Sequence, residues 1–182
     1  MRVPMNLANS ITAFRIVLTP VFVIVLMERR FVPALFVFLI AAVSDAADGL
    51  IARALKQKTT LGSYLDPIAD KLLLSSAYIV LASIQVIPEW LAVVVISRDV
   101  LILMGVAVLT LFKGMFPMNP SVLSKFTTCA QIVTLLAVLV DASGIFTFSS
   151  LYVLFWITTG ITALSGLHYV YYGLQLLSEN ES

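Results

Sequence analysis

The chain has 182 residues, 60% of them hydrophobic and 12% charged, with a mean hydropathy of +1.04 and a formal net charge of +1. Soluble domains carry roughly one-quarter charged residues, so this composition excludes an ordinary water-soluble fold and points into a membrane. The small net charge gives no reason to expect a nucleic-acid partner. A single cysteine, Cys129, excludes a disulfide framework and a cysteine-based zinc site. Within its apolar run, Cys129 reads as a small packed hydrophobe.

A spanning helix needs about 20 mostly apolar residues. The stretches 13–28, 32–55, 66–86, 89–112, 121–140 and 148–177 meet that requirement. Glu28-Arg29-Arg30 closes the first, and Pro88 with Glu89 marks the turn before the fourth. Gly114, Pro117 and Pro120 make a loop before the fifth, and Asp141 to Gly144 turns into the last. Segment 1–12 mixes apolar and polar residues, which suits either a short amphipathic helix at the interface or a frayed terminus. The N-terminal region has no small-residue cleavage site after its apolar stretch, so it does not read as a removable signal peptide. No internal repeat or low-complexity linker is visible. The expected fold is therefore an all-α integral membrane protein with six transmembrane helices, forming one domain over 1–182, with room for a short N-terminal interfacial helix.

Lys and Arg orient the spans. With six spans, both termini share a side with the loops after the second and fourth. That side holds Arg2, Arg15, Arg53, Lys56, Lys58, Lys71, Lys113 and Lys125, against Arg29 and Arg30 opposite. The bias places the termini in the cytoplasm, and with them the junction of the second and third spans.

That junction holds the most informative residues, Asp45, Asp48, Asp66 and Asp70. Carboxylates in apolar helices are costly and mark functional sites. Residues three or four apart share a helix face, so Asp45 pairs with Asp48 and Asp66 with Asp70. Two helices joined by a short loop would bring all four together. Converging carboxylates repel unless cations lie between them, and all-oxygen ligation suits magnesium, manganese or calcium.

The full pattern is Asp45-x2-Asp48-Gly49-x2-Ala52-Arg53-x8-Gly62-x3-Asp66-x3-Asp70. It resembles the signature of the CDP-alcohol phosphatidyltransferases at every defining position, and chain length and span number fit as well. The resemblance implies metal-dependent transfer of a phosphatidyl group from CDP-diacylglycerol to an alcohol, with release of CMP. It implies Mg2+ or Mn2+ in a two-metal site, a homodimer, and a multi-pass enzyme of the bacterial inner membrane with its site facing the cytoplasm. By the same resemblance Asp45, Asp48, Asp66 and Asp70 ligate metal, and Asp70 is the catalytic base. Gly49, Ala52, Arg53 and Gly62 (placed in the connecting loop) would bind the nucleotide. The small residues also suit close helix packing, and Arg53 also suits a positive-inside anchor. Asn9-x2-Thr12-x2-Arg15 resembles a segment of glycerophosphate-type members, in which Asn9 and Thr12 would contact the nucleotide and Arg15 a phosphate. Helix capping is the other reading of Asn9 and Thr12.

Two segments bear on the acceptor, which is expected to be a glycerol-type alcohol. Arg98-Asp99 in the fourth span is either a self-neutralising pair or part of an acceptor-phosphate site, with Lys125 in the fifth. Phosphatidylglycerophosphate synthases usually show Arg-Glu, a second arginine eight positions on, and a glycine and second lysine near Lys125. Here those places hold Asp99, Val106, Ser124 and Thr127. The departures favour phosphatidylglycerol, the acceptor of CMP-forming cardiolipin synthases. The opening around Asn6 to Thr12 and the chain length favour glycerol 3-phosphate. A third class, an ion transporter with an aspartate-lined path, would usually place its charges near the midplane at inverted repeats; here they cluster at one surface. His168, among Tyr169, Tyr171 and Tyr172, reads as interfacial belt, and Trp90 and Trp156 as anchors or packing residues.

Overall fold

A computed structural model describes the backbone of residues 7–55, 60–113 and 122–178, and the side chains of 15–44, 71–105, 122–171 and 175. The described residues form six helices and no strand: α1 Leu7–Met27, α2 Phe31–Leu55, α3 Thr60–Ser83, α4 Glu89–Lys113, α5 Val122–Ala142 and α6 Leu151–Ser178.

The expected helices are all present, and two of them begin six residues early. α1 runs without a break from Leu7, so residues 7–12 extend the first helix instead of forming a separate interfacial one; residues 1–6 lie outside the described residues. No Gly or Pro interrupts the chain between Leu7 and Arg15, so nothing stops helix propagation. α3 begins at Thr60, not at Asp66, and Gly62 therefore lies within the helix and not in the connecting loop. A single helical glycine costs only about 1 kcal/mol relative to alanine, which the surrounding turns absorb.

The helices fall into two compact units. In the first, covering 1–86 and 139–147, α1 packs against both α2 and α3. Phe22 of α1 and Phe38 of α2 meet with ring centroids 5.9 Å apart, and Leu26, Leu35, Ala77, Tyr78 and Leu81 are buried with them. α1 closes in a Schellman turn. Arg30 N–H donates to Val25 O at 3.1 Å and Arg29 N–H to Leu26 O at 3.0 Å, with Arg29 at φ 58°. α3 ends the same way, with Val86 N–H on Leu81 O, Gln85 N–H on Ala82 O, and Gln85 at φ 61°. Arg29 also donates from Nη2 to Ile84 O at 2.9 Å, tying the α1–α2 turn to the end of α3. The last turn of α2 and the first turn of α3 therefore lie at the opposite end of this unit. The turn after α5 ends at Gly144, whose φ of +73° is the left-handed region that glycine enters without strain.

The second unit covers 87–138 and 148–182. Trp90 of α4 stacks on Trp156 of α6 at 4.8 Å, and Arg98 reaches Ser165 of α6, so α4 and α6 run parallel. Gln131 of α5 bonds Thr162, while Thr134 bonds Thr158, so α5 runs antiparallel to α6.

The interior of this unit is partly polar, alongside buried Leu91, Val95, Leu135 and Phe155. Thr127, Gln131, Thr134, Thr158, Thr162 and Ser165 are fully buried or nearly so, while Phe126, Val133, Trp156, Leu164 and Leu167 are exposed. Lipid tails are as apolar as leucine, so burying leucine gains nothing there, whereas pairing hydroxyls inside satisfies them. α5 and the Leu151–Tyr171 part of α6 are each long and apolar enough to cross a membrane. Shorter apolar stretches occupy α1, α2 and α3 at Arg15–Met27, Phe31–Ser44 and Lys71–Ser83. Both observations fit membrane association.

Candidate active site

The aspartates sit on two consecutive helices. Asp45 and Asp48 lie three residues apart in the second half of α2, with Gly49, Ala52 and Arg53 following on the same helix. Gly62, Asp66 and Asp70 lie in the first part of α3. Both stretches belong to the end of the first unit opposite the Arg29–Ile84 tie. Asn9 and Thr12 lie on α1. The side chains of Asn9, Thr12, Asp45, Asp48, Gly49, Ala52, Arg53, Gly62, Asp66 and Asp70 lie outside the described residues. Arg15, also on α1, is buried at 3% exposure, and Thr19 Oγ1 donates to its carbonyl at 2.9 Å.

The donor set on α2 and α3 fits a hard divalent cation. It offers four carboxylates and no thiol or imidazole, the chemistry that magnesium and manganese select.

The second unit holds a buried arginine whose two terminal nitrogens are both engaged. Arg98 Nη1 donates to Asp99 Oδ1 at 2.8 Å, an ion pair whose side chains are 3% and 7% exposed. Nη2 donates to Ser124 Oγ at 2.6 Å and to Ser165 Oγ at 3.3 Å. Tyr169 lies under the guanidinium, 5.9 Å from carbon to ring centroid, close enough for a cation–π contact. Nε is buried without a hydrogen-bond partner among the described residues. Three helices thus converge on one side chain.

Lys125 lies beside Ser124 in sequence but is exposed, and among the described residues it makes no ion pair. The two cations proposed for the acceptor therefore differ in kind. Arg98 is neutralised and interior, and Lys125 is open. Ser124 and Thr127, the positions that depart from the phosphatidylglycerophosphate synthase pattern, are both engaged: Ser124 with Arg98, and buried Thr127 through a 2.9 Å bond to Leu123 O.

Below Arg98 the α5–α6 seam continues as a hydroxyl ladder, Gln131 to Thr162 at 3.3 Å and Thr134 with Thr158 at 2.6 Å. Thr134 also donates, at 2.9 Å, toward Ala130 O, as buried threonines on helices do. Sequence reasoning missed Thr158, Thr162 and Ser165. Their spacing along α6 was the available signal, because four-then-three separation keeps them on one face. Cys129 was misread as packed and is exposed. In a membrane helix an apolar neighbourhood signals lipid as readily as interior. His168 and Tyr169 meet edge-on at 6.5 Å.

The family profile of the CDP-alcohol phosphatidyltransferases matches residues 5–164, across both units. The chain belongs to that family. Its members are enzymes that transfer phosphatidyl groups. Among relatives, the chain is similar to a CMP-forming cardiolipin synthase of Rattus norvegicus, 35% identical over 93% of this chain and 62% of the relative. It is similar to a CDP-diacylglycerol–glycerol-3-phosphate 3-phosphatidyltransferase of Bacillus subtilis (strain 168), 32% identical over 90% of this chain and 93% of that protein. A probable phosphatidylglycerophosphate synthase of Mycobacterium tuberculosis (strain ATCC 25618 / H37Rv) is 34% identical over 76% of this chain and 68% of its own length. The chain thus spans 62% of the length of the rat cardiolipin synthase.

Proposed function

We propose that this phosphatidyltransferase uses CDP-diacylglycerol as donor and phosphatidylglycerol as acceptor, forming cardiolipin and CMP. The observation that carries the acceptor is the local charge at Arg98, Asp99 and Lys125. Arg98 is neutralised by Asp99, and Lys125 is exposed and unpaired among the described residues. One net positive charge matches the singly charged phosphodiester of phosphatidylglycerol. Glycerol 3-phosphate, close to a dianion, would call for more. Glycerol 3-phosphate is the second reading, favoured by the bacterial relatives that cover most of this chain.

Asp45, Asp48, Asp66 and Asp70 are the residues that would hold Mg2+ or Mn2+. Bound there, the cations would neutralise the pyrophosphate of the CDP-lipid and stabilise in-line displacement. The chain's own groups do the rest. Asp70 takes the proton from the primary hydroxyl of the acceptor's glycerol head. That oxygen forms a bond to the phosphorus carrying the diacylglycerol, the bond from this phosphorus to the CMP oxygen breaks, and CMP departs. Gly49, Ala52 and Gly62 leave room for the cytidine, joined by Asn9 and Thr12 from α1. Arg53 and Arg15 hold phosphate, and Lys125 holds the acceptor's phosphodiester. Positioning both substrates removes much of the entropic barrier.

In this reading the six helices all span the membrane in one domain, supported by a family match that runs through both units. The Lys and Arg bias supports a cytoplasmic site in a bacterial inner membrane, and the family resemblance supports a homodimer. The test is CMP release by purified protein in detergent with CDP-diacylglycerol and magnesium, comparing the two acceptors. Selective turnover with phosphatidylglycerol is expected; selective turnover with glycerol 3-phosphate overturns the acceptor.

A further inference from the structure

α5 carries an open groove of which the roles above use only Lys125. It has a volume of about 440 Å³ and is lined by Ser124, Lys125, Thr128, Cys129, Ile132 and Val133. These positions recur every four residues in adjacent pairs, so they form one continuous stripe along the helix. From Ser124 to Val133 the stripe rises about 13 Å at the helical pitch. Its chemistry is divided. The first turn offers an exposed ammonium and two hydroxyls, and the rest offers a thiol and two branched aliphatic side chains.

Each part of that division is held in place. Ser124 Oγ is fixed by Arg98 at 2.6 Å, and Thr128 Oγ1 donates to Ser124 O at 3.1 Å. The hydroxyl end is thereby ordered against the interior while Lys125 is open to the groove's mouth. At the other end Val133 is 49% exposed and Cys129 is exposed too, so an acyl chain has room to lie along the apolar stretch. A soluble phosphorylated alcohol would use the cationic end and leave the aliphatic end bare. A neutral lipid would cover the aliphatic end and leave the ammonium unmatched. An anionic phospholipid covers both.

We propose that this groove is the seat of an anionic diacyl phospholipid, with its phosphodiester on Lys125 at the Ser124–Thr128 end and one acyl chain along Cys129, Ile132 and Val133. The inference rests on the lipid-acceptor reading above and deepens it, because it says how the enzyme distinguishes a lipid acceptor from its soluble headgroup.

Cys129 reports on the groove without mutation, since it is the sole cysteine of the chain. Alkylation of the wild-type protein by N-ethylmaleimide in detergent micelles is followed by intact mass, with dioleoyl phosphatidylglycerol, dioleoyl phosphatidylcholine or glycerol 3-phosphate added. Phosphatidylglycerol at ten times its dissociation constant should slow alkylation about tenfold by simple occupancy; the other two should leave the rate unchanged. Equal protection by phosphatidylcholine, or none by phosphatidylglycerol, overturns the proposal. Protection that grows with protein concentration in the absence of lipid would assign the groove to a second copy of the chain and equally overturn it.

Val133→Trp, which fills the aliphatic end, should raise KM for phosphatidylglycerol about tenfold, the scale of a changed apolar fit, and leave KM for CDP-diacylglycerol alone. Equal rises in both overturn the assignment; a misfolded variant leaves the wild-type alkylation result to decide. CMP release with phosphatidylglycerol but no protection of Cys129 would remove the groove and keep the acceptor. Protection without turnover on that lipid would keep the groove and remove the acceptor.

Discussion

Asp99→Asn removes one negative charge from the interior of the second unit and leaves an isosteric side chain. The Arg98 guanidinium would then stand buried at 3% exposure without a counter-charge among the described residues, its remaining acceptors there being the neutral oxygens of Ser124 and Ser165. Breaking a buried pair by removing one partner costs about 3–5 kcal/mol. Because Asn keeps an oxygen for Nη1, the lower end applies, about 3 kcal/mol, or a shift of roughly a hundredfold in the folding equilibrium. Arg98→Met combined with Asp99→Leu should restore most of that loss, since replacing both charges by packed apolar groups is commonly neutral. The assay is unfolding in mixed micelles followed by tryptophan fluorescence, because the chain's two tryptophans form the Trp90–Trp156 stack of this same unit. The charge change also has a functional side. An uncompensated Arg98 in addition to Lys125 favours a dianion over a monoanion, so turnover with glycerol 3-phosphate should rise relative to phosphatidylglycerol. A single variant within about 0.5 kcal/mol of wild type, the range of inconsequential surface changes, would refute the reasoning, because Arg98 would then have its charge balanced elsewhere.

Asp45→Ala, Asp48→Ala or Asp66→Ala should abolish CMP release, and chelation should do the same to the wild type, reversibly on adding Mg2+ or Mn2+. Asp70→Asn should bind CDP-diacylglycerol and fail to turn it over; substantial activity in all four variants would sink the mechanism. Thr134→Val and Thr158→Val, measured singly and together, should show a coupling of about 0.6–1.7 kcal/mol, the range of buried hydrogen bonds between membrane helices; no coupling would mean the 2.6 Å contact contributes nothing. Gln85→Gly should raise thermal stability by about 1 kcal/mol, because it relieves a non-glycine residue at φ 61°; a lower melting temperature would show that the Gln85 side chain matters more than its backbone strain.

The helices were legible because each is a long apolar run between charged or turn-forming residues, and Pro88, Glu89 and Gly144 mark boundaries as their chemistry requires. The start of α3 was not, since Gly62 reads as loop when taken alone and its helical cost is small enough for neighbours to overrule. The aspartate positions on α2 and α3 follow from their spacing once those helices exist. The environment of Arg98 was half legible. Its pairing with Asp99 is a matter of adjacency, but Ser124 and Ser165 arrive from helices 26 and 67 residues away, and no local pattern announces them. Cys129 was misjudged for a general reason: hydrophobicity ranks residues by aversion to water, and in a bilayer that aversion no longer separates inside from outside.

The hydroxyl ladder between α5 and α6 has a repeating character, which leaves it open to a vernier error. Slide α6 by one turn, about 5.4 Å, and Thr134 would face Thr162 while Gln131 faced Ser165, so much of the polar pairing would survive. Arg98, with the Trp90–Trp156 stack, breaks this near-degeneracy. It occurs once, and a slipped helix would carry Ser165 and Tyr169 past it. Arg98 acts as a detent that selects one alignment among several almost equivalent ones, much as a lone polar residue chooses the register of a coiled coil.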